Sequence, residues 1–253
     1  MRVLMPLPST DFDPTESSVP FVRLSEAGHQ MIVATPDGRP AAADERMLSG
    51  RGLGPWKPML RADTNARNAY ARMEQHPAFR QPIRWADAGS DQFDALLLPG
   101  GHAPGMRPYL ESEHLQDIAS SMLQTGKPVA AVCHGVLVLA RAERRHRGRV
   151  IADRQLTALT MAQEWSALLL TIWWLGTYYR TYPISVQREV SKTLTQGGRF
   201  LTGPFALLRD APGKLNRGFV VRDRNLLTAR WPGDVHRMAE TFVQMLEEAK
   251  ARA

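Results

Sequence analysis

Cys133 is the only cysteine among 253 residues. It stands between a strand-like run and a helix-like run in PVAAVCHGVLVLA, residues 128–140. With Ala131 two residues before it and Gly135 two residues after, the segment has the shape of a nucleophile elbow. Small residues there let strand and helix close on a tight turn. Such a turn lifts the thiol to the C-terminal edge of a sheet, where open α/β proteins bind ligands. Free N–H groups at a helix start favour the thiolate, so the turn predicts a nucleophilic Cys133 of lowered pKa, with His134 beside it as acid or base. The alternative is a buried cysteine acting as a small core residue.

Two further stretches could serve such a thiol. Pro99-Gly100-Gly101-His102 follows the apolar run DALLLP, and paired glycines let backbone N–H groups approach a ligand. Gly100 and Gly101, with the N–H of His134, are the candidate oxyanion donors. Thr10-Asp11-Phe12-Asp13-Pro14-Thr15-Glu16 follows the first apolar run and brings three carboxyls close to it. Glu16 is the candidate proton carrier. The same residues also make a helix start, with Asp13 as N-cap, Pro14 at N1 and Glu16 at N3.

The elements that would position these residues alternate. Arg2 to Leu7 reads as a strand and Thr15 to Ala27 as a helix closed by Gly28, kinked or restarted at Pro20. HQMIVAT, residues 29–35, reads as a second strand, completing a strand–helix–strand unit. Residues 36–88 are turn-rich, carry one helix opening at Asp63, and read as a lid or insertion beside the core. Asp94–Pro99 and Pro128–Val132 are continuous apolar runs of the kind parallel strands show, separated by an amphipathic helix over Leu115–Leu123. Then come a strand at Gln155–Leu159, a strongly apolar helix over Met161–Tyr179, and an ambiguous stretch over 180–218. A hairpin turns at Arg222-Asp223-Arg224, and Asp234–Ala251 closes the chain as an amphipathic helix. The pattern predicts one α/β domain over 1–253 with a mainly parallel sheet.

A lone cysteine permits no internal disulfide and fits a reducing compartment. The N-terminus lacks the basic head and apolar run of a signal peptide. The longest apolar run, ALLLTIWWLG at 167–176, is too short to span a bilayer and fits a buried helix. A cytoplasmic protein with no membrane partner is expected. The net charge is +7, with Arg141, Arg144, Arg145, Arg147 and Arg149 clustered around His146. A solvated helix end accounts for that cluster better than nucleic acid does, because no nucleic-acid-binding pattern accompanies it. No GxGxxG or Walker A loop is present, and no nucleotide or redox cofactor and no metal is expected.

Glu16 with Pro20 four residues on, EAGHQMIVATPDGRPAAAD, FDALLLPGGHAPG, PVAAVCHGVLVLA and VVRDRNLLTARWPGDVHRMAE together resemble the ThiJ/PfpI superfamily, which shares the class I glutamine amidotransferase-like fold. The last of these is similar to the glyoxalase III and chaperone branch. The resemblance implies a flavodoxin-like sandwich, usually dimeric, with Cys133 as nucleophile, Glu16 hydrogen-bonding and shuttling protons at the thiolate, and His134 as the adjacent histidine. Triad-bearing members carry an acid after the strand that follows the elbow helix. In LTALTMAQEWS the only acid is Glu164, the candidate third member. The implied activities are cofactor-independent conversion of methylglyoxal to lactate, deglycation, peptide hydrolysis and holdase chaperoning.

The leading expectation is a cysteine-dependent enzyme acting on small reactive carbonyl compounds. A cysteine peptidase or amidase would use the same thiolate. A stress-responsive holdase or redox sensor would need an exposed apolar patch or an oxidisable thiol. The series Trp165, Trp173, Trp174, Tyr178, Tyr179 has helical spacing and reads as core or as the interface of a homodimer.

Overall fold

The computed structural model describes residues 1–143, 148–205 and 208–252. The chain opens with β1 (Arg2–Pro6), the short β2 (Thr10–Phe12), α1 (Pro14–Glu26), β3 (Gln30–Thr35) and the short β4 (Ala42–Ala43). Helices α2 (Glu45–Ser49), α3 (Lys57–Leu60), α4 (Thr64–Gln75) and α5 (Pro77–Arg80) lead into β5 (Ile83–Arg84). Next come β6 (Ala95–Leu98), α6 (Arg107–Leu110), α7 (Glu113–Gln124), β7 (Val129–Val132) and α8 (Val136–Arg141). The remainder holds β8 (Gln155–Leu156), α9 (Met161–Leu175), α10 (Val186–Thr193), β9 (Arg199–Phe200), β10 (Val220–Asp223), β11 (Leu226–Ala229) and α11 (Val235–Lys250).

Seven strands form the central sheet in the order β10-β11-β7-β6-β1-β3-β5. Every pairing in it is parallel except the β10–β11 hairpin. Helix α1 packs with α4 and α11, and α7 packs with α8. The result is a flavodoxin-like α/β sandwich. Sheet centre and helices meet in one core, where β6 (ALLL) and β7 (VAAV) are buried at every position. A strand covered on both faces has no side for polar residues, which is why these runs do not alternate. The chain runs from β1 outward to β3 and β5, then returns to place β6 on the other side of β1. That reversal opens a crevice at the C-terminal ends of β1 and β6, where doubly wound sheets take ligands.

Residues 36–88 divide between two roles. Ile83 and Arg84 pair with Ala34 and Thr35 as the edge strand of the central sheet, and α4 packs on α1. The remainder, around α2 and α3, lies beside the crevice, with Met47, Met59 and Leu60 lining it. Helix α1 runs unbroken from Pro14 to Glu26 through Pro20. The stretch 155–159 contributes only Gln155 and Leu156 as strand, paired with β9 outside the central sheet.

Helix α9 departs from the expectation of a buried element. Of its residues only Glu164, Leu168 and Thr171 are buried. Trp173 is 89 % exposed and Leu169 63 %, and Trp165, Ile172 and Trp174 also stand in solvent. The buried residues recur at four- and three-residue spacing, one narrow strip laid on the fold. The apolar character of the other faces reflects composition, not cover. Of the basic cluster, Arg144, Arg145, His146 and Arg147 lie outside the described residues. Arg141 pairs with Glu189 at 2.7 Å, and Arg149 lies 3.4 Å from Glu143. No helix among the described residues is long and apolar enough to cross a membrane.

Candidate active site

Strand β7 delivers Cys133 into a single tight turn over residues 133–135 that leads directly into α8. Cys133 adopts φ +56°, a left-handed conformation that a residue with a Cβ rarely takes. The turn is held by close approach. A Cβ on Gly135 would sit 2.6 Å from the Pro99 carbonyl oxygen and closer still to that of Leu98. Gly100 is constrained in the same way, since a Cβ there would meet Glu16 Oε2 at 2.6 Å and Cys133 Cβ at 2.9 Å. The two glycine-bearing turns therefore clasp each other, and Glu16, Gly100 and Cys133 converge at the C-terminal ends of the central strands.

Glu16 is 1 % exposed and Cys133 5 %. Asp13 caps α1, accepting from the N–H groups of Thr15 and Glu16 at 2.8 and 3.0 Å, so the helix start is the one the sequence predicts. Pro14 stands at N1 and orients the first turn so that Glu16 faces the thiol. Burial raises Glu16 well above the ordinary carboxylate range, with the Asp13 charge adding to the rise and the Cys133 thiol and Gly100 N–H opposing it. Burial also pushes Asp13 up to about 6. Asp11 is spent elsewhere, accepting from the Gly105 N–H at 2.8 Å.

The thiol itself is pushed up, not down. Burial is the largest cause, and the Glu16 and Asp13 charges add to it, while the His134 N–H favours the thiolate. The expected lowering assumed an exposed helix start, and this turn is instead closed over by the core. Because both carboxyls are raised, they hold protons readily, and a protonated Glu16 exerts no charge repulsion on the sulfur.

Beyond the sulfur runs a relay of hydrogen bonds. His134 Nδ1 lies 3.4 Å from Cys133 Sγ, and His134 Nε2 lies 3.1 Å from Thr181 Oγ1. Thr181 donates its hydroxyl proton to the His102 carbonyl at 2.6 Å. With that proton committed, Thr181 accepts from His134 Nε2–H, which leaves Nδ1 as an acceptor facing the sulfur. Burial drives His134 down to about 3, so the ring is neutral.

Glu164, the acid expected as third member, does not meet His134. Its carboxylate accepts from the Val186 N–H at 3.1 Å at the start of α10, and the group that His134 meets is a hydroxyl. Thr181 comes from the stretch that the sequence left ambiguous, and no spacing signal marks it. Gly100 uses its carbonyl on the Asp13 N–H at 2.9 Å, while the Gly101 N–H has no backbone acceptor among the described residues.

The sulfur opens into a cavity of about 400 Å³. Its wall includes Asp13, Glu16, Gly101, His102, Glu164 and Arg209. Most of the remainder is apolar, from α3 and α9 and from Leu159, Phe205 and Trp231, with Gln163 and Ser166 among them. His102 stacks on Tyr179 with ring centroids 4.3 Å apart, closing one side. Among the described residues no group of three or more His, Cys, Asp or Glu side chains could hold a metal ion.

Sheet, switch-point crevice and left-handed cysteine turn define an α/β protein of the elbow-cysteine class. The chain belongs to the ThiJ/PfpI family, whose ThiJ/PfpI family-like model matches residues 7–203. A deglycase of Pyrococcus abyssi is 31 % identical over 150 residues, 58 % of this chain and 70 % of that protein. The deglycase PfpI of Pyrococcus furiosus is 29 % identical over 142 residues, 56 % of this chain and 66 % of that one. Glyoxalase III from Candida albicans superposes with a TM-score of 0.64 over 97 % of both chains at 18 % identity, a likeness of fold.

Proposed function

We propose that the chain is a cysteine-dependent, cofactor-independent enzyme acting on small reactive carbonyl compounds, converting methylglyoxal to lactate. The observation that carries this reading is the juxtaposition of Cys133, in its left-handed turn, with Glu16 in the wall of one largely apolar cavity and with the Nδ1 of a neutral His134 at 3.4 Å from the sulfur. The names of the deglycase relatives and of the glyoxalase III neighbour support the substrate class.

In this reading Cys133 Sγ bonds to the aldehyde carbon. The thiol proton passes through His134 to the new alkoxide, giving a hemithioacetal. His134, so strongly disfavoured as a cation, hands the proton on rather than holding it. The N–H groups of Gly101 and His134 face the developing oxyanion. Glu16, its own proton released to solvent through the cavity, then takes the proton of the first carbon and returns it to the second. Its raised pKa makes the carboxylate, once formed, a stronger base for a carbon-bound proton. The first carbon is oxidised and the second reduced, so no outside electron acceptor enters. Water cleaves the resulting thioester to release lactate and the thiol.

The test is loss of methylglyoxal and glyoxal without glutathione, followed with lactate or glycolate formation. Turnover is expected in the unmodified chain and none in Cys133→Ser. Glu16→Gln is expected to lower kcat by about 10²–10⁴-fold with the fold intact. Absence of product above the Cys133→Ser background removes this reading.

The exposed apolar face of α9 favours a second reading, a holdase that shields unfolded chains. Suppression of client aggregation that persists in Cys133→Ser separates it from the enzyme.

A further inference from the structure

The cavity wall carries one cation beside three carboxyls, Asp13, Glu16 and Glu164. Arg209 is the only arginine or lysine among the lining residues described. Its Nη2 donates to the carbonyl oxygens of Met59 and Leu60 at 3.1 and 3.2 Å, which anchors the guanidinium to the α3 segment. Its Nη1 is buried and has no hydrogen-bond partner. The Arg209 charge holds Asp13 and Glu16 lower than burial alone would, yet no carboxyl of the cavity hydrogen-bonds to Nη1: Asp13 accepts from the first turn of α1, Glu16 lies against Gly100 and Cys133, and Glu164 accepts from the Val186 N–H. A guanidinium cannot shed its charge, so a buried nitrogen left without an acceptor carries the full cost of lost hydration.

Most of the remaining wall is apolar, with Met47, Leu60, Leu159, Leu170, Phe205 and Trp231 prominent in it. The volume, about 400 Å³, lies in the range of sites that enclose drug-sized ligands, well beyond what a three-carbon dicarbonyl fills. We propose that Arg209 is the anion anchor of this cavity, and that the cavity takes a carbonyl compound bearing a carboxylate on an apolar body. The free Nη1 would receive the carboxylate while the apolar body lies against Leu159, Leu170 and Trp231. A carboxylate suits one free guanidinium nitrogen better than a phosphate dianion, which would bring two charges to a single cation. The carbonyl part of this proposal rests on the reading of Cys133 given above, and the anchor does not.

The experiment measures binding without turnover in full-length Cys133→Ser protein, by calorimetry and by the change in total tryptophan fluorescence. The probes are 4-carboxybenzaldehyde, benzaldehyde and benzoate. The 4-carboxybenzaldehyde is expected to bind at least about tenfold more tightly than benzaldehyde. Adding Arg209→Gln is expected to erase that preference, and Arg209→Lys to keep part of it. Benzoate reports the anchor alone, so an Arg209-dependent benzoate signal stands even where methylglyoxal turnover fails. Equal binding of the carboxylate and neutral aldehydes, a preference that survives Arg209→Gln, or no binding of any probe would overturn the proposal. If Arg209→Gln does not fold, the comparison of the two aldehydes in Cys133→Ser still decides it. A merely structural Arg209 would lower thermal stability on substitution without moving the ratio of the two affinities.

Discussion

At the scale of single residues, the chemistry is set by what each polar atom has left to do. In the proposed reaction Thr181 is a positioning residue. It takes the Nε2–H of His134 and passes its own proton to the His102 carbonyl, which fixes the tautomer facing Cys133. Thr181→Val leaves a buried ring N–H without an acceptor. The expected result is a fall in kcat of about tenfold or more with KM little changed, and recovery in Thr181→Ser, read from steady-state turnover of methylglyoxal. Cys133, Glu16 and the Gly100-Gly101 pair were legible in the sequence because local backbone needs reveal them. Small residues around a tight turn and a Pro at a helix start are visible without tertiary contacts. Thr181 and Arg209 were not legible. Each sits in a stretch without periodicity and gains its role from contacts with residues far away in the chain. The placement of Glu164 is illegible for the same reason, because composition locates an acid but not the Val186 N–H that holds it.

At the scale of elements, the site depends on how two turns and one helix start fit together. Asp13 caps α1 while buried, and it binds its proton more tightly folded, at about 6, than at the ordinary 3.8. Protonation therefore favours the fold. This contribution is fully present below about pH 4, is lost as the pH climbs through about 6, and stays lost above. Asp13→Asn keeps a capping oxygen and removes that slope. Thermal unfolding should show the variant gaining on the unmodified chain between about pH 4 and pH 8, by an amount on the order of 2–3 kcal/mol. Gly135 gives a second test. A methyl there meets the Leu98 and Pro99 carbonyls, which are backbone and cannot swing aside. Gly135→Ala is expected to cost about 2 kcal/mol or more in urea unfolding and to lower turnover with it. Strands β6 and β7 were legible as continuous apolar runs. Strand β5 was not, because two residues in a turn-rich stretch carry no period, and only pairing with β3 makes them a strand.

For the molecule as a whole, the uncovered apolar face of α9 sets the expectation. Its apolar run predicted burial, and most of it stands in solvent. Hydropathy reports that a face avoids water and does not report what lies opposite. The homodimer implied by the family resemblance would supply a cover. Self-association through this face is the expected outcome, rising with concentration and with sulfate, which strengthens apolar burial. Sedimentation velocity should show it weakened in a Leu169→Lys, Trp173→Lys variant. A chain that stays monomeric throughout, with no change on substitution, would remove α9 from the interface.

The left-handed turn at Cys133 has a consequence for how such chains diverge. Holding a Cβ-bearing residue at φ +56° costs about 1 kcal/mol that glycine would not incur. Stability alone would therefore let this position drift toward glycine, and selection for the thiol is what opposes the drift. A descendant released from the chemistry should lose Cys133 while keeping Gly100 and Gly135, which the clasped turns still require. Glycine at the elbow, inside an otherwise intact sheet, would then mark a relative that has kept the scaffold and given up the reaction.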